Sequence, residues 1–132
     1  MTPSTPSIAH INGLSHKLDE FFDEGLDNRY SRHCTTNNMT RDWAAKHGFT
    51  LFPETGYEST TLTCINNGAK KGGRTVNVTQ LQKLMKEKNI LIDGGYGKLK
   101  GQAFRLSNMG DETEETMGEL FNALDWAMEQ LG

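Results

Sequence analysis

Between Gly94 and Thr113 the sequence makes three conformational demands in quick succession. A glycine-rich loop, Gly94-Gly95-Tyr96-Gly97, is followed by the alternating segment Ala103-Phe104-Arg105-Leu106-Ser107 and then by a helix start near Asp111. Successive side chains of a strand point to opposite faces, so Phe104 and Leu106 form a core face and Ala103, Arg105 and Ser107 face away from it. Arg105 thus projects beside a loop whose glycines allow close backbone approach. A guanidinium on a rigid strand offers a planar fork that matches a carboxylate or phosphate. Arg105 is therefore the candidate contact for a small anionic ligand, against the plainer reading of an arginine on a solvated sheet face.

The rest of the chain arranges itself around this stretch. Prolines in Thr2-Pro3-Ser4-Thr5-Pro6-Ser7 exclude a helix there and predict an extended arm over residues 1–7. Ile8, Ile11, Leu14, Leu18, Phe21 and Phe22 recur at helical spacing, with Ser7 as a candidate cap. After Gly25 a second helical stretch runs to His47, with a polar middle, Thr35-Thr36-Asn37-Asn38, that argues against an unbroken helix. Gly48 predicts its stop. Short strands are expected at Phe49–Phe52, Thr60–Ile65 and Ile90–Ile92. A helix capped by Asn77 carries Val78, Leu81, Leu84 and Met85 inward and ends near Asn89. Asp111 with Glu114 is the expected cap of the last helix, whose stripe includes Met117, Leu120, Phe121, Leu124 and Ala127. The order predicts an α+β fold: a small, mainly antiparallel sheet with helices packed on it, preceded by an extended arm and one or two helices. The expected division is arm 1–7, helical connecting segment 8–48 and α+β small domain 49–132.

Composition narrows the function classes. A chain of 132 residues supports a single hydrophobic core. A net charge of −3 gives no electrostatic footprint for nucleic acid or an anionic membrane, and no segment has the apolar length of a membrane span. Cys34 and Cys64 form no disulfide pattern, and the Met1–Ser7 start lacks a signal-peptide profile, so a cytoplasmic protein is expected, with Cys64 a buried thiol. His10, His16, His33 and His47 show no metal-ligand spacing, so no metal is expected. The loop around Gly95 fits neither the dinucleotide nor the Walker spacing and precedes a strand, which leaves a mobile ligand-proximal loop or a plain hairpin connection. Lys70-Lys71-Gly72-Gly73-Arg74 reads as a solvated basic cluster. Tyr30, His33 and Cys34 lack an evident base and orienting group for nucleophilic catalysis.

Thr5-Pro6-Ser7-Ile8, Gly94-Gly95-Tyr96-Gly97 and above all Gly101-Gln102-Ala103-Phe104-Arg105-Leu106-Ser107-Asn108-Met109-Gly110 resemble the C-terminal part of a class V, fold-type I, pyridoxal-phosphate-dependent aminotransferase, in particular the alanine-glyoxylate and serine-pyruvate enzymes. The resemblance implies that Arg105 binds the carboxylate of a small amino acid or 2-oxo acid. It also implies that Thr5, or Thr2 if the register differs, reaches the cofactor phosphate of the other subunit in a homodimer. The large domain of the same enzyme would be a further partner.

The family's cofactor-linking lysine and the acidic residue that pairs with its pyridine nitrogen match nothing in this sequence. The resemblance therefore implies no catalytic residue here, no pyridoxal phosphate bound to the isolated chain and no transamination by it. The alternative is a stand-alone, non-catalytic α+β interaction or small-ligand module that shares the fold.

Overall fold

The computed structural model describes residues 5–70 and 72–132. Thr2, with the start of the expected arm, and Lys71 of the basic cluster lie outside the described residues. Among the described residues, four α-helices, α1 (Ile8–Glu24), α2 (Leu26–Lys46), α3 (Val78–Glu87) and α4 (Glu114–Leu131), accompany four strands, β1 (Thr50–Leu51), β2 (Leu62–Asn66), β3 (Asp93–Gly94) and β4 (Ala103–Ser107). The chain divides into two units, one ending at Ser31 and the other running from Arg32 to Gly132.

In the first unit, α1 carries the expected apolar stripe but buries none of it: Ile8, Ile11, Leu14, Leu18 and Phe22 are exposed. Ser7 makes no side-chain cap; its hydroxyl instead lies 2.5 Å from His10 Nδ1. The turn between the helices needs glycine, because Gly25 has φ +83° and its N–H closes α1 on Phe21 O. Arg29 ties this turn down, pairing with Glu24 at 2.7 Å while its guanidinium stacks 4.0 Å above the Phe21 ring.

In the second unit the sheet has the order β1-β2-β4-β3, every neighbouring pair antiparallel. This is the predicted α+β fold. Thr63 pairs with Leu106 and Ile65 with Phe104, so these four share the core face, where Ile65, Phe104 and Leu106 cluster with Leu81 and Met85 of α3 and Leu124 of α4. Phe49 meets Phe104 edge-on at 5.4 Å and stacks on Trp43 at 5.9 Å, which joins the end of α2 to the sheet.

The polar middle of α2 does not break the helix. Thr36, Asn37 and Thr40 are its buried residues, beside Trp43 and Ala44, so the face that meets the sheet is polar at one end and apolar at the other. Hydrogen bonds make this burial tolerable. Asn108, directly after β4, donates through Nδ2 to His33 O, Thr36 Oγ1 and Thr60 O, and its Oδ1 accepts from Asn37 Nδ2 at 3.3 Å. Asn37 Nδ2 also reaches Thr63 Oγ1, so one buried network fastens α2 to β2 and to the end of β4.

Three further local expectations are corrected. Ile90–Ile92 is not a strand: pairing begins only at Asp93, Leu91 is exposed, and the Ile92 carbonyl accepts from Gln82 Nε2 of α3 at 3.0 Å. The last helix is capped by Thr113 rather than Asp111, because Thr113 and Thr116 satisfy each other's backbone N–H groups in a reciprocal box. Ala103 is buried although it shares the face of Arg105; its cross-strand partner Asn66 is also buried and bonds the carbonyls of Lys70 and Gly72.

At the junction of α2 with α4, Asp125 Oδ1 accepts from Trp43 Nε1 at 2.6 Å and lies 2.9 Å from His47 Nε2, a close contact outside hydrogen-bonding geometry. Asp125→Ala is expected to lower the unfolding free energy by about 2 kcal/mol, the cost of a stranded indole donor. Equilibrium denaturation measures it, and a loss under about 0.5 kcal/mol would mean that water replaces the carboxylate.

Candidate functional site

Arg105 sits at the centre of β4, opposite Cys64 on one side and Asp93 on the other. The alternation that buries Phe104 and Leu106 sends its side chain to the opposite face of the sheet, where 21% of it is exposed. Three groups hold the guanidinium. Its Nε donates to Gly94 O at 3.2 Å, its Nη2 lies 2.9 Å from Asp93 Oδ2, and its carbon stands 4.5 Å from the centre of the Tyr96 ring. The plane is thus fixed by a carbonyl, a carboxylate and an aromatic face.

The loop that carries Tyr96 is a hydrogen-bonded hairpin connection. Leu99 N–H donates to Tyr96 O, Lys100 N–H to Gly97 O and Gln102 N–H to Leu99 O. A Cβ on Gly95 would stand 2.0 Å from the Leu99 carbonyl oxygen, so only glycine fits where the chain doubles back. The loop therefore joins β3 to β4 as a hairpin connection and lies beside Arg105 through Tyr96.

Beside Arg105 a cleft of about 420 Å³ opens where β4 continues past the short β3. Asp93, Ser107, Glu112, Thr116 and Glu119 supply its polar walls, and Arg105 is the sole cation among its lining residues. Cys64 is half-buried on the face of Arg105 instead of lying in the core; burial pushes its thiol pKa up and the Arg105 charge opposes that rise. A protonated thiol is a poor nucleophile.

The other candidate residues fall elsewhere. Thr5 is exposed, ahead of α1 in the first unit. His33 Nδ1 lies 3.0 Å from the Asn108 carbonyl oxygen, a backbone contact at the end of β4. Among the described residues no group of three or more His, Cys, Asp or Glu is arranged to hold a metal ion, and no helix is long and apolar enough to cross a membrane. No lysine lines the cleft beside Arg105.

No family model matches the sequence. Curated relatives do. An aminotransferase of Methanocaldococcus jannaschii, itself uncharacterized, is 29% identical over 132 residues, which span 99% of this chain and 33% of that protein. The serine–glyoxylate aminotransferase of Methylorubrum extorquens is 29% identical over 113 residues, 85% of this chain and 27% of the enzyme. Among solved structures, the alanine–glyoxylate aminotransferase of a Nostoc species superimposes with a TM-score of 0.79 at 26% identity, covering 97% of this chain and 33% of that one. Homologues of this chain include class V aminotransferases, the serine–glyoxylate and pyridoxamine–pyruvate enzymes among them. The chain spans about a third of their length, and its α+β fold matches the C-terminal domain of aminotransferases.

Sequence reasoning missed Asp93 and Tyr96 as partners of Arg105. A hairpin closing on Gly94 and Phe104 puts Asp93 opposite Arg105, so an acid and a base at mirrored positions around a glycine loop were the available signal.

Proposed function

We propose that this chain is the C-terminal small domain of a pyridoxal-phosphate-dependent aminotransferase that moves an amino group between a small amino acid and a 2-oxo acid. In this reading Arg105 binds the substrate carboxylate. The observation that carries it is the guanidinium itself: fixed in plane by Gly94 O, Asp93 and Tyr96, with no partner on Nη1 among the described residues. A carboxylate docked on the remaining N–H groups would be oriented by paired, charge-assisted hydrogen bonds, which places the α-carbon for proton removal.

The cofactor supplies the electron sink when bound. Thr5 is proposed to contact its phosphate across a homodimer, and the large domain to provide the lysine that anchors it. Residues 1–7, 8–48 and 49–132 would serve as arm, connecting segment and small domain. The isolated chain is expected to be inactive and to give no stoichiometric cofactor absorbance band with added pyridoxal phosphate.

Arg105→Ala in the full-length enzyme is expected to lower kcat/KM by about a hundredfold or more for amino and oxo acids alike, with cofactor absorbance unchanged. Steady-state kinetics with both substrate types checks it. Apparent binding equal to wild type would remove Arg105 from the site.

A further inference from the structure

We propose that Asp93 sets substrate charge selectivity, holding Arg105 by its Nε/Nη2 edge and placing a fixed negative charge beside the carboxylate site, so that the site favours monocarboxylates without a second anionic group. This rests on the reading of Arg105 as the carboxylate ligand.

A guanidinium can grip a carboxylate along its Nε/Nη2 edge or across its Nη1 and Nη2 ends. Here the first edge is closed by the protein, since Gly94 O takes Nε and Asp93 Oδ2 stands 2.9 Å from Nη2. Tyr96 covers one face of the plane at 4.5 Å. A ligand carboxylate therefore docks on the Nη1 end of the same guanidinium whose other edge Asp93 holds.

The Asp93 side chain is 69% exposed and projects from a strand whose backbone pairs with β4 beside Arg105, so it cannot withdraw without breaking its own ion pair. Glu112 and Glu119 line the same cleft, and Arg105 is its sole lining cation. Among the residues lining that cleft, no second cation stands opposite another anionic group. A like charge held about 7 Å from Asp93 in a partly screened cleft disfavours binding by roughly a factor of ten. A neutral group of the same shape carries no such penalty.

Succinate and its monoamide, succinamate, isolate that charge, being nearly the same in shape. Their dissociation constants are to be measured on the full-length holoenzyme by titrating the cofactor absorbance. Wild type is expected to bind succinamate about tenfold more tightly than succinate. Asp93→Asn, which keeps the size and one hydrogen bond, is expected to bring the two within about twofold, and Asp93→Glu to restore the preference. A preference unchanged by Asp93→Asn, or a wild type that favours succinate, overturns the inference. Arg105→Ala titrated alongside separates the two levels. If it weakens both ligands while Asp93→Asn leaves their ratio alone, the carboxylate site stands and the role of Asp93 falls. If Arg105→Ala weakens neither, the reading of Arg105 falls first.

Discussion

Asn108→Ala is expected to lower the unfolding free energy by about 3 kcal/mol, the largest effect predicted for a polar residue of this chain. The side chain is fully buried and makes four hydrogen bonds, to His33 O, Thr36 Oγ1, Thr60 O and Asn37 Nδ2. Alanine would strip a partner from each and leave a small polar void between α2 and the end of β4.

Asn108→Asp sharpens the test. Aspartate nearly matches the shape but replaces a donor that faces three acceptors with a buried charge. Its folded-state pKa would be raised, so the aspartate variant keeps its full stability below the unfolded carboxyl range and loses it as pH rises from there through the raised folded-state value. Urea unfolding of both variants at pH 7 and near pH 4 reads this out. If alanine costs less than about 1 kcal/mol, or the aspartate variant shows no recovery in acid, the network is not the fastening described.

The second large effect concerns Gly95. Gly95→Ala is expected to cost about 3 kcal/mol, because the new methyl would meet backbone at 2.0 Å instead of a side-chain tip able to swing away. Gly94→Ala, one residue earlier, meets nothing closer than 3.7 Å and should be close to neutral. Relief of the clash must open the connection that holds Tyr96, so Gly95→Ala should also remove the Tyr96 ring from Arg105, seen as loss of ring-current shifts on the Arg105 side-chain protons. Equal stability of the two alanine variants would contradict the tight return of the loop.

These residues show how far the sequence reached. The hydrophobic period set α3 and α4, and alternation set β4 with Arg105 projecting from the core face. Asn77 caps α3 through Gln80 N–H as its spacing predicted, and Gly48 and Asn89 take the positive φ expected of helix ends. Such features are legible because they depend on residues a few positions apart.

What the sequence could not give was the identity of partners far along the chain. A polar run in α2 reads as a weak helix until the fold brings Asn108, more than seventy residues away, to satisfy it. Ile90–Ile92 reads as a strand by composition, yet Gln82 takes the Ile92 carbonyl and the sheet begins at Asp93.

The site divides along the same line. Arg105 and its glycine loop were set by local pattern: alternation chooses the face, and glycine permits the turn. That Asp93 and Tyr96 hold the guanidinium by one edge and one face, leaving Nη1 without a partner among the described residues, was decided by tertiary structure alone. Strand register and loop closure determine which charges meet, and neither is a property of neighbouring residues.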